Sequence, residues 1–236
     1  MNDANTPLTF GAVIFDLFGT LVDDFASSVG QKHMEFVKTL GVPSEPFTKL
    51  WRETTDMRVV GAFQTVEASI EYVCQLLDTS LTSAQLGRAV EIRLQLIRRT
   101  LNPRPAAIET LAQLRDQGYK IGLLSNCSIE IPLLWPETAF ADLFDSAIFS
   151  SRERLKKPDP RIFQLACERL GLAPECCLYI ADGENYELAA AAKLGMHAVL
   201  IQNSSRDNRS ELLREAREWR GTAVSALIEI LDLAIK

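Results

Sequence analysis

The sequence predicts an α/β fold, a doubly wound, parallel, Rossmann-like sheet with an inserted helical cap domain. Three observations lead there. Short, nearly continuous apolar runs recur along the chain, as in strands buried on both faces. Helical patterns separate most of them, which is the alternation of a parallel sheet. One long stretch, 23–101, shows helical periodicity and no convincing strand. With 47% hydrophobic residues over 236 positions, the chain can bury the core such an arrangement needs.

The elements follow in order. Residues 11–15 (GAVIF) form an apolar run that ends at Asp16, and Phe18-Gly19-Thr20 turns the chain. Helical patterns then cover 26–40, 45–58, 65–77 and 82–100. Asp23-Asp24 and Leu101-Asn102-Pro103 are the two connections of this block. The expected division is therefore a core of 1–22 and 102–236 with a helical domain of 23–101. In 105–117, Ile108, Leu111 and Leu114 share a face, with Pro105 near the start and Gly118 past the end. Further strand-like runs lie at 120–124 (KIGLL), 145–149 (DSAIF), 176–181 (CCLYIA) and 197–201 (HAVLI). Between them, Asp159 can cap a helix over 159–170 with Pro160 in its first turn. An Ala-rich helix over 185–194 stops at Gly195.

Charge and composition narrow the partners. The formal net charge is -6, and the basic runs are short or mixed with acids, so no nucleic acid is expected. No stretch approaches the roughly 18 apolar residues of a membrane span, and Met1 to Thr9 is polar, so no membrane role is expected. Five cysteines in no zinc-type spacing read as apolar fillers of a reducing cytoplasm. Cys127 is the exception in position, since it follows a strand end. His33 and His197 have no partner pattern and receive no role.

In open parallel sheets, ligands bind beyond the carboxyl ends of the strands. Asp16, Ser125-Asn126 and Asp182 sit at three such ends, and Lys157 lies in the loop after a fourth strand. Together they offer a nucleophile, hydrogen-bond donors, a cation and a metal ligand around one crevice.

These residues carry a resemblance. The run Phe15-Asp16-Leu17-Phe18-Gly19-Thr20-Leu21 resembles the first motif of the haloacid dehalogenase-like hydrolases. Leu124-Ser125-Asn126 is similar to the second, Lys157-Pro158-Asp159-Pro160 to the third, and Ile180-Ala181-Asp182-Gly183 through Glu187 to the fourth. Order and spacing match over essentially the whole chain, with 23–101 in the place of the family's helical cap. The resemblance implies a covalent aspartyl mechanism on a small anionic substrate. Asp16 is then the nucleophile, Thr20 supports it, and Lys157 neutralises charge beside it. Ser125 and Asn126 orient the substrate. Mg²⁺ is held by Asp16, Asp182 and the Phe18 carbonyl, with Glu187, where the family more often has Asp, supporting the metal shell. Arg58 in the helical block is a candidate for a substrate anion, against the alternative of an exposed helix face.

Two motifs pull in different directions. The family's phosphatases carry a general acid where this chain has Phe18; its dehalogenases carry an aromatic residue there. A halide leaves without a proton and an alkoxide does not, so Phe18 fits dehalogenation, lining the substrate space. Asp182 stands where the metal-free dehalogenases have Ser, and Phe163 where they tend to have Tyr. Two carboxylates side by side call for a cation, which a phosphoryl group also needs. Phosphoryl transfer is the commoner activity in the superfamily. The first expectation is therefore Mg²⁺-dependent hydrolysis of a small phosphorylated molecule, and the second is 2-haloacid dehalogenation without metal. A third is a weakly active binding or regulatory protein on the same fold.

Overall fold

The structure is a computed structural model that describes residues 10–23, 25–202 and 214–234, with side chains of the first helix from 33 onward. Met1 to Thr9 and Asp24 lie outside the described residues. The first strand, β1 (Ala12–Phe15), is buried along its whole length. Its side chains alternate: Val13 and Phe15 enter one apolar layer, Ala12 and Ile14 the other. Five helices follow: α1 (Phe25–Leu40), α2 (Ser44–Glu53), α3 (Thr55–Val59), α4 (Val66–Gln75) and α5 (Ser83–Thr100). Next come α6 (Ala107–Asp116), β2 (Lys120–Ser125), α7 (Glu130–Leu134), β3 (Ser146–Phe149), α8 (Ser150–Glu153) and α9 (Pro160–Leu170). The chain continues through β4 (Cys177–Ala181), α10 (Glu187–Leu194), β5 (His197–Ile201), α11 (Arg214–Glu218), β6 (Thr222–Val224) and α12 (Ile230–Ala234).

The six strands form one parallel sheet in the order β3-β2-β1-β4-β5-β6. The order reverses between β1 and β4, the place where doubly wound sheets open a crevice. Here Ile14 pairs with Tyr179 and Phe15 with Ile180, and the Asp16 amide donates to the Ile180 carbonyl at 2.9 Å. The ends of β1 and β4 therefore finish side by side. No helix of the described residues is long and apolar enough to cross a membrane.

The helices between β1 and β2 have an apolar cluster of their own, built on Phe36, Phe47, Trp51, Ile70 and Val73. The α5 helix spans two clusters: Ala89 belongs to this one, while Ile97 and Leu101 join the layer under the sheet. Its N-terminus carries a full capping box from Thr82 and Gln85.

The pattern over 45–58 predicts one helix; the structure breaks it at Thr54. The Thr54 hydroxyl donates to the Leu50 and Trp51 carbonyls, and the Arg58 guanidinium also donates to Trp51. These side-chain donors compete for the carbonyls that a continuous helix would use. The short elements α7, α8, α11, α12 and β6 had no readable pattern, being three to five residues long.

Candidate active site

Asp16 stops β1 and is almost fully buried, at 6% exposure. The turn that follows is tight: the Thr20, Leu21 and Val22 amides all donate to the Leu17 carbonyl, and Gly19 has φ +76°. This returns Thr20 to Asp16, where its hydroxyl donates to Oδ2 at 3.2 Å. Arg104 braces the turn from outside by donating to the Gly19 and Thr20 carbonyls. Phe18 is half-buried on the same turn, its ring against the core layer beneath.

Lys157 comes from the loop between α8 and α9, which is joined to α9 by a cis Lys157–Pro158 bond. Asn126, just past β2, fixes this loop: its amide donates to the Lys157 carbonyl at 3.0 Å and accepts from the Lys157 amide at 2.8 Å. Asn126 therefore fixes the backbone that carries Lys157. Asp159 caps α9 as the sequence suggests, accepting from the Arg161 amide. The Lys157 ammonium lies 2.5 Å from Asp16 Oδ1 and 2.6 Å from Glu187 Oε2.

Asp182 follows β4. Its Oδ1 accepts from the Glu184 amide. The segment between Asp182 and α10 is unusually bent, with Gly183, Asn185 and Tyr186 all at positive φ. Gly183 packs so close that an added Cβ would meet Ala216 at 3.1 Å. Two successive non-glycine residues in the left-handed region are costly, and the surroundings must hold them. Glu215 of α11 supplies part of that hold by accepting from the Leu188 and Ala189 amides, the otherwise uncapped N-terminus of α10. Glu187 is thereby turned inward, at 2% exposure.

Carboxylate oxygens of Asp16, Asp182 and Glu187 all lie within 4.8 Å of one another. The Lys157 ammonium pairs with two of them, Asp16 and Glu187. Burial works against charge on Lys157, but Asp16 and Glu187 outweigh it and hold its pKa above the ordinary value. Burial pushes Glu187 up to about 7, although Lys157 pulls the other way. The Ser125 hydroxyl, at the end of β2, is fully buried and has no nitrogen or oxygen partner among the described residues. Its polar neighbour is the Cys127 thiol, which it helps to pull back from the rise that burial causes.

Arg58 is buried, contrary to the exposed-face alternative. Its guanidinium lies 3.9 Å from the Trp51 ring centroid and donates to Thr54, Thr55 and the Trp51 carbonyl. These bonds hold the break between α2 and α3. Burial, with help from Arg93, lowers its pKa to about 10. Cys127 is buried, and burial pushes its thiol up to about 12, so it is no nucleophile at neutral pH.

Sequence reasoning passed over Tyr179, Arg104, Glu215 and Ser150. Tyr179 left one clue: a phenol in a strand buried on both faces must find a hydrogen-bond partner. Here they are Lys157 and Glu187.

A family model described as haloacid dehalogenase-like hydrolase matches residues 10–195. The chain is 30% identical to (S)-2-haloacid dehalogenase 4A of Burkholderia cepacia over 199 residues, covering 80% of this chain and 82% of that protein. It is 29% identical to glyceraldehyde 3-phosphate phosphatase of Methanothermobacter thermautotrophicus over 136 residues, 56% of this chain and 58% of that one. Among solved structures, the HAD phosphatase from Thermococcus onnurineus has a similar fold, with a TM-score of 0.64 at 22% identity. The match covers 95% of this chain and 97% of that one.

Proposed function

Because the chain belongs to the haloacid dehalogenase-like hydrolases, we propose that it hydrolyses a small phosphorylated molecule with Mg²⁺, using Asp16 as the nucleophile. One observation carries this reading: buried carboxylate oxygens of Asp16, Asp182 and Glu187 converge within 4.8 Å of one another beside the Lys157 ammonium. Three carboxylates converging this closely favour a divalent cation between them. The donor set suits Mg²⁺, which favours carboxylate oxygens. Asp16 and Asp182 are its ligands, with the Phe18 carbonyl completing the protein share. Glu187 supports them from behind, since its oxygens face Lys157, Tyr179 and the Glu184 amide. When bound, Mg²⁺ supplies the positive charge that lets a phosphate approach two carboxylates.

The residues divide the remaining work. Asp16 attacks the phosphorus as the bond to the ester oxygen breaks and the leaving group departs; water then cleaves the aspartyl phosphate, releasing phosphate and restoring Asp16. Thr20 orients its second oxygen, and Lys157 holds the first and offsets its charge. The Ser125 hydroxyl donates to a substrate oxygen. Residues 23–101 act as a cap over the strand ends, with 1–22 and 102–236 as the catalytic core, and exclude water while the intermediate exists. Arg58 serves this cap as a brace. The free cysteines suit a reducing cytoplasm.

Phe18 offers no proton to a leaving group. Aryl and acyl phosphates, whose leaving groups depart unprotonated, should therefore turn over faster than alkyl phosphates. Phe18 also favours a second reading, 2-haloacid dehalogenation, as does the similarity to the Burkholderia dehalogenase.

The test assays purified protein on p-nitrophenyl phosphate, acetyl phosphate, an alkyl phosphate and 2-chloropropionate, each with Mg²⁺ or EDTA. Phosphate release that needs Mg²⁺ is expected, with a drop of roughly 10²- to 10³-fold in Asp182→Ser. Phe18→Asp should raise alkyl phosphate turnover. Halide release at full rate in EDTA, with phosphate esters untouched, would replace the first reading by the second.

A further inference from the structure

We infer that Tyr179 is a positioning residue, whose hydroxyl aims the Lys157 ammonium at Asp16 by accepting from Lys157 and donating to Glu187. The inference rests on the reading of Asp16 as the nucleophile. Tyr179 lies in β4, opposite Ile14 of β1, and is fully buried. Its ring meets Phe163 edge-on, with centroids 5.2 Å apart and planes at 80°. That contact fixes the ring while the hydroxyl reaches the site.

The donors and acceptors leave one arrangement. An ammonium has three N–H groups and no acceptor. Lys157 Nζ has three acceptors around it: Asp16 Oδ1 at 2.5 Å, Glu187 Oε2 at 2.6 Å and Tyr179 Oη at 3.1 Å. Tyr179 must therefore accept from Lys157. Its own proton goes to Glu187 Oε2, 2.7 Å away. With Glu187 ionised, the chain of bonds runs from Lys157 through Tyr179 to Glu187. Burial, reinforced by Glu187 and Asp16, keeps the phenol protonated and so able to donate.

Removing the hydroxyl leaves one Lys157 N–H without an acceptor in a dry pocket and takes a donor from Glu187. The ammonium then turns, and the Asp16 oxygen it holds loses its alignment. A hydrogen bond to a charged group of this kind corresponds to roughly 10- to 100-fold in rate. Because the hydroxyl is engaged by Lys157 and Glu187, the loss should fall on kcat and leave KM within about twofold.

The experiment has two arms on the full-length protein. In the first, Tyr179→Phe is assayed on whichever phosphate ester or 2-haloacid the wild type hydrolyses, with its folded fraction measured by thermal unfolding. A fall in kcat at nearly constant KM, in fully folded protein, is expected. A wild-type kcat, or a loss that tracks the unfolded fraction, would overturn the inference. The second arm needs no substrate and so stands apart from the proposed function. Lysine side chains labelled with ¹⁵N are observed by NMR, and the Lys157 ammonium is assigned by its disappearance in Lys157→Met. An ammonium with all three N–H groups bonded should give a signal slow to exchange with water in the wild type. That signal should shift or broaden in Tyr179→Phe. No protected Lys157 signal in the wild type, or an unmoved one in the variant, would refute the role.

Discussion

Asp16 holds its position through bonds from both sides, Thr20 on one oxygen and Lys157 on the other. The carboxylate is thus oriented before any substrate arrives, which is what an attacking group needs. Asp16→Asn keeps the shape and removes the proposed nucleophile. Turnover should fall by roughly 10⁴-fold or more. Stability should not fall with it, because one of three crowded carboxylates has been neutralised. Single-turnover hydrolysis in ¹⁸O-water followed by mass spectrometry should place label in the wild-type Asp16 carboxylate. An active Asn variant, or an unlabelled Asp16 after many cycles, would mean that water attacks the substrate directly.

A buried ion pair joins two of the elements. Arg93 of α5 and Glu130 of α7 meet at 2.8 Å, both almost without exposure, and link the helical block to the core. Burial alone would raise the Glu130 pKa, but Arg93 and hydrogen bonds to the carboxylate hold it below its ordinary 4.5. The contribution of this pair is therefore complete above pH 4.5 and fades as pH falls through the lower native value. Arg93→Met strands the carboxylate, at a cost of about 3–5 kcal/mol near pH 7. The sign of the pH dependence then reverses. A stranded Glu130 has a raised pKa, binds a proton more readily when folded, and regains stability as pH is lowered towards 4.5. Urea unfolding of both proteins at pH 7.5 and 5 should show the gap narrowing at the lower pH. A constant gap would show that Glu130 is not the group left uncompensated.

At the scale of the molecule, the helical block sits against the core along α3 and α8. The Ser150 hydroxyl donates to the Val59 carbonyl at 2.7 Å and accepts from the Cys127 amide, and Lys156 pairs with Asp56 at 2.6 Å. Gly61 makes this approach possible. It has φ +70°, and a Cβ there would stand 1.9 Å from the Ser151 carbonyl oxygen. Gly61→Ala must shift one surface from the other and strain the backbone by about 1–2 kcal/mol. For a chain of this size that corresponds to at least roughly 2–8 °C in Tm. If the block closes over Asp16 as proposed, kcat should fall as well. Calorimetry and the assay read the two effects, and a variant with the wild-type Tm would show the contact to be slack.

The sequence by itself determined the parallel sheet, because strands such as Ala12–Phe15 and Cys177–Ala181 are short, apolar and separated by helical patterns. It also marked Asp16, Ser125 and Asp182, since polar residues that end buried strands stand out against their neighbours, and Lys157 through the Lys-Pro-Asp-Pro run ahead of a helix. Tertiary structure decided how their charges combine. Nothing local states that Lys157 lies between Asp16 and Glu187, or that Asn126 holds the Lys157 backbone. Nor does periodicity separate Tyr179 from the core residues beside it, for its ring packs as they do and only its hydroxyl differs. Arg58 shows the opposite case. Its spacing suits a surface, yet Trp51 and the Thr54 break turn it inward. Burial and apolar pattern are written residue by residue along the chain. Partnership between charged and polar groups depends on which distant segments the sheet order brings together.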